Sequence, residues 1–358
     1  MNLGFGFYRH MLNEEHYEFA KQCGATHAIV HLVDYFNNDN DTEENQPIGL
    51  TKDGWGLSLN TEPWSVDFLK NMKEEIESNG LVVAGIENFE PALWHDILLD
   101  GPKKHEQIEK VKQVIRNVGA AGIGMIGYNF SLAGVAGREE MYTRGGAKTV
   151  GLNGPNSLLN TPIKQGMVWN MRYQAELSDE DLPTISHEVL WQRLSYFLNE
   201  VVPVAEESGV ILAAHPDDPP VPFVREQPRL VYQRHMYQKL LDIKQSNSNQ
   251  LEFCVGTLAE MTDGDLYEFI QQYVIQEKIA YVHLRNVKGQ VPYYKETFID
   301  DGDVDITRVL DVLHRANFTG VVIPDHAPSM SCDAPWHAGM AFAMGYIKSC
   351  MQEVITRS

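Results

Sequence analysis

The run LEFCVG at 251–256 follows VILAAH at 210–215 and precedes AYVHL at 280–284 and GVVIPD at 320–325. Each is a short, nearly continuous apolar segment rich in β-branched residues. That pattern marks a strand buried on both faces, as in parallel sheets covered by helices. Four similar runs precede them: LGFGF at 3–7, HAIVHLV at 27–33, LVVAGIE at 81–87 and IGMIGYN at 123–129. Between the runs lie helical stripes. Leu69, Met72 and Ile76 follow a capping Ser65, and Ile108, Val111, Ile115 and Val118 precede Gly119. Leu190, Leu194, Phe197 and Val201 follow Ser186, and Met340, Met344, Ile347 and Met351 follow the last run. Eight strands alternating with helices, the last followed by a helix, predict a (β/α)8 TIM barrel, fold class α/β. The competing arrangement is a doubly wound sheet. Gly122, Gly124 and Gly127 formally spell GxGxxG, but no helix follows them, so they do not make a dinucleotide-binding turn.

The whole chain, 1–358, reads as one barrel with two insertions, about 34–64 after strand two and about 130–185 after strand four. Both leave the C-terminal ends of strands, the face on which barrels build active sites. Composition agrees with a globular protein: 43% hydrophobic and 22% charged residues allow a large core. Lys and Arg number 29 against 49 Asp and Glu, a formal charge of −20. A surface that acidic excludes nonspecific binding to nucleic acid or to anionic membranes. Four scattered cysteines without a CxxC pair and the lack of a signal-peptide pattern predict a reduced, cytoplasmic protein.

The chemistry concentrates at the strand ends of the second half. Strand five ends at His215, strand six carries Cys254, strand seven carries His283 and strand eight ends at Asp325. In a barrel these positions are neighbours on one rim, and two imidazoles, a thiol and a carboxylate can bind a divalent transition metal. Arg285 lies two residues beyond His283, on the same side by the period of a strand, where its fork could hold a substrate carboxylate or form a structural salt bridge at the rim. Glu87, Asn129 and Asp217 sit at other strand ends and are candidate substrate contacts. Asp217 could alternatively orient His215. No GxSxG, HExxH or P-loop occurs in the sequence, so hydrolysis by a serine triad has no anchoring motif.

HPDDPP at 215–220, CVGTLAE at 254–260, VHLRNVKG at 282–289, DGDVD at 301–305 and PDH at 324–326 resemble the blocks of the mannonate dehydratase family, as do YNF at 128–130 and VVPVAEESGV at 201–210. The resemblance spans strand three to strand eight. It implies a xylose-isomerase-like barrel and dehydration of D-mannonate to 2-keto-3-deoxy-D-gluconate in hexuronate breakdown. It also implies Mn²⁺ or Fe²⁺ as cofactor, with ligands falling on His215, Cys254, His283 and Asp325. His326 matches the family's acid–base histidine. The partner expected is a small anionic sugar acid, with no nucleic acid and no membrane, and a homo-oligomer is expected. The pattern departs after strand eight. The family's Asp-His-Gly-Arg is Asp325-His326-Ala327-Pro328 here, and its Pro-Gly-Tyr-Gly segment is Pro335-Trp336-His337-Ala338-Gly339. His337 then either takes the tyrosine's place as a second proton-transfer candidate, beside His326 and Asp325, or caps or packs the terminal helix that begins near Trp336. Another aldonate as substrate, a sugar isomerase or epimerase on the same barrel, and a noncatalytic sugar-acid-binding protein stay open as alternatives.

Overall fold

The computed structural model describes residues 1–35 and 54–357. Eight parallel strands close a barrel: β1 (Asn2–Tyr8), β2 (His27–His31), β3 (Val82–Glu87), β4 (Met125–Tyr128), β5 (Ile211–Ala214), β6 (Asn249–Cys254), β7 (Ile279–Leu284) and β8 (Val321–Pro324). Each pairs with its neighbours in chain order, and β8 returns to β1. The anticipated runs are therefore the barrel staves. Their apolar continuity reflects burial against the helices outside and against the opposite staves inside.

The helices form where the stripes place them. Ser65 accepts a hydrogen bond from the Phe68 backbone N–H and caps Val66–Ser78, which buries Leu69, Met72 and Ile76. Ser186 does the same for His187–Ser208 through Val189. That helix ends at Gly209 with φ 65°, a left-handed conformation that glycine adopts without a Cβ penalty. The last helix, Pro335–Arg357, buries Met340, Met344, Ile347 and Met351. No helix among the described residues is long and apolar enough to cross a membrane.

The register sets the heights of the inward side chains. His31 pairs with Glu87, and Glu87 with Gly127. Glu252 pairs with Tyr281, and Cys254 with His283. Gly127 occupies a place no larger residue could take, because a Cβ there would lie 2.5 Å from the Tyr281 hydroxyl and 2.8 Å from Glu252 Oε2. In this chain the third glycine of the formal GxGxxG thus makes room inside the barrel.

Of the first insertion, residues 36–53 lie outside the described residues. The second insertion builds structure on the rim. Its strands Glu139–Tyr142 and Lys148–Asn153 join a hairpin, Asn286–Gln290 and Tyr293–Thr297, in one four-stranded antiparallel sheet. The hairpin leaves β7 almost at once and covers the end of that strand. It is not evident in the sequence, since NVKGQVPYYKET lacks both a clear alternation and a turn dipeptide.

Candidate active site

A cavity opens at the C-terminal end of the barrel. Glu87, Asn129, His215, His283, Asp325 and His326 line it together with Tyr8, His31, Asn88, Asp218, Trp169 and Trp336. The Nε2 or Nδ1 atoms of His215 and His283 and the Sγ of Cys254 lie within 4.8 Å of one another. Cys254 is buried beside them and donates its S–H to Asp325 Oδ2 at 3.4 Å, so all four strand-end candidates converge. Thr257 donates to the same sulfur at 3.1 Å. His215 turns its Nδ1 onto the carbonyl of Pro216 at 2.5 Å, which leaves Nε2 for a ligand.

Beneath this cluster sits a pair of buried carboxylates. His283 Nε2 is 3.1 Å from Glu87 Oε2 and 3.2 Å from Glu252 Oε1. Tyr281 donates its hydroxyl to Glu87 Oε2 at 3.1 Å. Burial opposes ionisation of Glu87, but the charges of His31, His283 and His215 outweigh it and hold its pKa below the usual range. Burial and the negative Glu87 push Glu252 the other way, toward the protonated form. Like charges this close share a proton rather than both ionise. His283 feels burial against its charge, yet Glu87 and Glu252 raise its pKa well above the ordinary imidazole value.

Asp325 and His326 form the opposite wall. Burial disfavours the Asp325 carboxylate, but His326, His283, Arg285 and His215 together force its pKa far below normal. His326 Nε2 lies 3.3 Å from Asp325 Oδ1, and its Nδ1 faces Glu296. Burial lowers the His326 pKa, and the two carboxylates more than restore it, so the net shift is upward.

Three of the anticipated contacts lie elsewhere. Arg285 does not face the cavity. Its side chain has no exposure, and its Nε, Nη1 and Nη2 are spent on Asp325 at 2.9 Å, Glu260 at 2.6 Å and Asp218 at 2.8 Å. The short helix Val255–Glu260 folds over the end of β7 and delivers Glu260 there. Gly256 of that helix packs against the arginine so closely that a Cβ would collide with it. Asp217 points away from the site. It pairs with Arg229 at 3.0 Å and accepts the backbone N–H groups of Leu230 and Val231, while its neighbour Asp218 takes the cavity position. His337 is one residue past Trp336, about 100° round the same helix. Trp336 and Met340 line the cavity, whereas His337 packs edge-on against Phe19 at 4.8 Å.

Asn129 and Glu87 do reach the wall. The Asn129 amide donates to the carbonyls of His215 and Pro216 at 3.4 and 3.3 Å, and its Oδ1 is buried without a hydrogen-bond partner. Several contributors escape a reading by strand ends. Glu252 carried a signal that could have found it: a carboxylate in an apolar strand, two residues before Cys254 and so on the same inner side. His31 is the last residue of β2, and its ring packs tilted against Tyr8 at 4.8 Å. Trp169 comes from deep in the second insertion and donates its indole N–H to the Asn129 carbonyl at 3.2 Å. Nothing in local sequence marks it.

The family model for D-mannonate dehydratase matches residues 49–352. The chain belongs to the D-mannonate dehydratase family. Members are carbon–oxygen lyases of the hydro-lyase type, and the chain is one of them. The mannonate dehydratase of Lactococcus lactis subsp. cremoris is 28% identical over 297 residues, 74% of this chain and 79% of that protein. That of Streptococcus agalactiae serotype Ia is 30% identical over 278 residues, 74% and 78% of the two chains. Among solved structures, mannonate dehydratase from Streptococcus suis serotype2 superposes with a TM-score of 0.74 at 22% identity, covering 100% of this chain and 95% of that one. An L-ribulose 3-epimerase shares the barrel at a TM-score of 0.59 and 13% identity, covering 99% and 96%. These likenesses establish the xylose-isomerase-like barrel, and the family assignment rests on the sequence match.

Proposed function

We propose that this mannonate dehydratase-like protein is a divalent-metal-dependent dehydratase of a sugar acid, converting D-mannonate or a closely related aldonate to the 2-keto-3-deoxy acid and water. The observation that carries the reading is the convergence of His215, Cys254 and His283 within 4.8 Å in a cavity that also presents His326. His215, Cys254, His283 and Asp325 would hold the ion. The residues fit one: His215 turns Nδ1 onto a backbone carbonyl and keeps Nε2 for the ion, and Asp325 is kept ionised. A mixed nitrogen, sulfur and oxygen set suits Mn²⁺ or Fe²⁺. When bound, the metal supplies Lewis-acid stabilisation of the enolate-like charge beside the substrate carboxylate.

The protein's own groups handle protons and position. Loss of the C2 proton and of the 3-hydroxyl forms a C2=C3 enol, which tautomerises to the 2-keto acid. His326, protonated between Asp325 and Glu296, donates to the departing 3-hydroxyl. Asn129 Oδ1 and Asn88 offer polar contacts for sugar hydroxyls, and Trp169 and Trp336 close the cavity wall. Among the described residues lining the cavity there is no Arg or Lys. The test is a panel of aldonates incubated with the Mn²⁺-loaded protein. A 2-keto-3-deoxy acid from mannonate or an epimer is the expected product. Isomerised sugar without loss of water would overturn the reading in favour of an isomerase or epimerase.

A further inference from the structure

Three segments of the rim meet at one fully buried side chain, Asn170. Its Nδ2 donates to the Val135 carbonyl at 2.7 Å, near the start of the second insertion. Its Oδ1 accepts from Arg225 Nη1 at 2.8 Å, on the loop that follows β5. Its backbone carbonyl accepts the N–H of Trp55, in the first insertion, at 2.7 Å. Arg225 is 4% exposed and also donates to the carbonyls of Thr161 and Pro162. Among the described residues its guanidinium has no carboxylate partner, so its fork of donors ties chain segments together rather than neutralising an acid.

The neighbour of this hub, Trp169, lines the cavity. Trp169 and Asn170 both have left-handed backbone, with φ 55° and 56°. Asparagine tolerates that conformation, but a bulky residue holds it only where its surroundings over-determine it. Here they do. The indole N–H donates to the Asn129 carbonyl at 3.2 Å, and the backbone N–H to the Leu132 carbonyl at 2.8 Å. Gly134 packs so near that a Cβ would lie 2.8 Å from the ring. With its N–H spent, the ring offers the cavity apolar surface, while Asn88, Asp218 and the histidines of the wall offer polar groups. A polyhydroxy chain presents both C–H and O–H groups and matches a wall of both kinds.

We propose that Asn170 is a positioning residue for substrate recognition: by tying three rim segments together it holds the Trp169 ring where that ring packs on the carbon chain of the substrate. The identity of that substrate rests on the sugar-acid reading above. Asn170→Gly is the informative variant, because glycine keeps the left-handed backbone without strain and removes both side-chain bonds. In the Mn²⁺-loaded enzyme it should raise KM for the aldonate about tenfold, with kcat within about threefold and metal content unchanged. Trp169→Ala should raise KM at least as much, and adding Asn170→Gly to it should change KM by less than about twofold, since the two act through one ring. A further tenfold rise in the double variant, or a loss confined to kcat, would overturn the proposal. In ¹⁵N-tryptophan-labelled protein loaded with a diamagnetic divalent metal, the Trp169 indole N–H, assigned with Trp169→Phe, should be protected from hydrogen exchange. Asn170→Gly should speed that exchange about tenfold or more and leave the amides of the barrel strands unchanged, which a general loss of stability would not do. If Asn170→Gly fails to fold, Arg225→Lys, which keeps the charge and loses the fork, should move both readouts in the same direction. An indole N–H that exchanges freely in the wild type would overturn the proposal whether or not any variant folds, and so would protection unaltered by the variants. Failure of the wild type on every aldonate would instead refute the dehydratase reading and leave the exchange arm to decide whether Asn170 holds Trp169.

Discussion

Replacing Arg285 by lysine separates two explanations of that residue, and the structure gives the size of the effect. The guanidinium places Nε on Asp325, Nη1 on Glu260, and Nη2 on both Asp218 and Thr257. A lysine ammonium is a single point and cannot reach three carboxylates that surround a planar fork. About two charge-assisted hydrogen bonds are lost, at about 1.5–3 kcal/mol each, or about 3–6 kcal/mol together. The loss falls on the fold, because the arginine is fully enclosed and holds the buried Glu260 Oε1 at 2.6 Å. At about 2.1 cal/mol/K per residue the unfolding entropy of a chain this long makes 1 kcal/mol equivalent to about 1.3 °C. Arg285→Lys should therefore lower Tm by about 4–8 °C, measured by calorimetry or circular dichroism on the metal-free protein. The fraction that remains folded should bind substrate with an unchanged KM. Unaltered Tm with a KM raised about tenfold would mean that Arg285 grips the substrate carboxylate, and the reasoning from its ion pairs would be wrong.

Metal binding should release protons. His283 has its pKa raised by Glu87 and Glu252 against the effect of burial, so at neutral pH it is charged and must lose a proton to become a ligand. Affinity should rise with pH, by at least about tenfold per unit while pH stays below the raised pKa, since the Cys254 thiol must give up its proton as well; titration calorimetry in buffers of different ionisation enthalpy reads the proton count, and a count of zero refutes it. Cys254→Ser exchanges a soft ligand for a hard one, so affinity for Zn²⁺ or Cd²⁺ should fall more than affinity for Mn²⁺, as competition with a chelator would show. His326→Asn should lower kcat by about 10²–10⁴-fold at constant metal content. His337→Asn should leave kcat within about twofold, because that ring packs on Phe19 outside the cavity; a strong loss there would return it to catalysis. Gly127→Ala inserts a methyl beside Tyr281 and Glu252 and should cost about 1–3 kcal/mol by overpacking, visible as a lowered denaturation midpoint.

The barrel was legible because its physics is local and repeated. A stave buried on two faces must be apolar at consecutive positions, and a helix against it must be apolar at a period of 3.6 residues. Each run from Leu3 to Asp325 satisfies that rule by itself, and the eight strands appear where the runs stand. The convergence of four strand-end side chains was legible for the same reason: closing the barrel makes successive strand ends neighbours, and His215, Cys254, His283 and Asp325 need no other information to meet. Past the last residue of a strand this logic stops. Arg285 and Asp217 are each only one or two residues beyond a stave, yet their direction is set by what covers the strand end. For Arg285 that cover is Glu260 and the hairpin, and for Asp217 it is Arg229. For His337, which the sequence leaves between proton transfer and helix packing, a single residue of helix decides, since a turn of about 100° exchanges the cavity for the outer packing layer. Glu296 and Arg138 reach His326 across 30 and 188 residues of sequence, a separation no periodicity encodes. The pattern of apolar residues tells each segment to be buried. Only the assembled rim decides which charged groups are buried against one another, because a buried charge is tolerated solely where the right partner has also been carried.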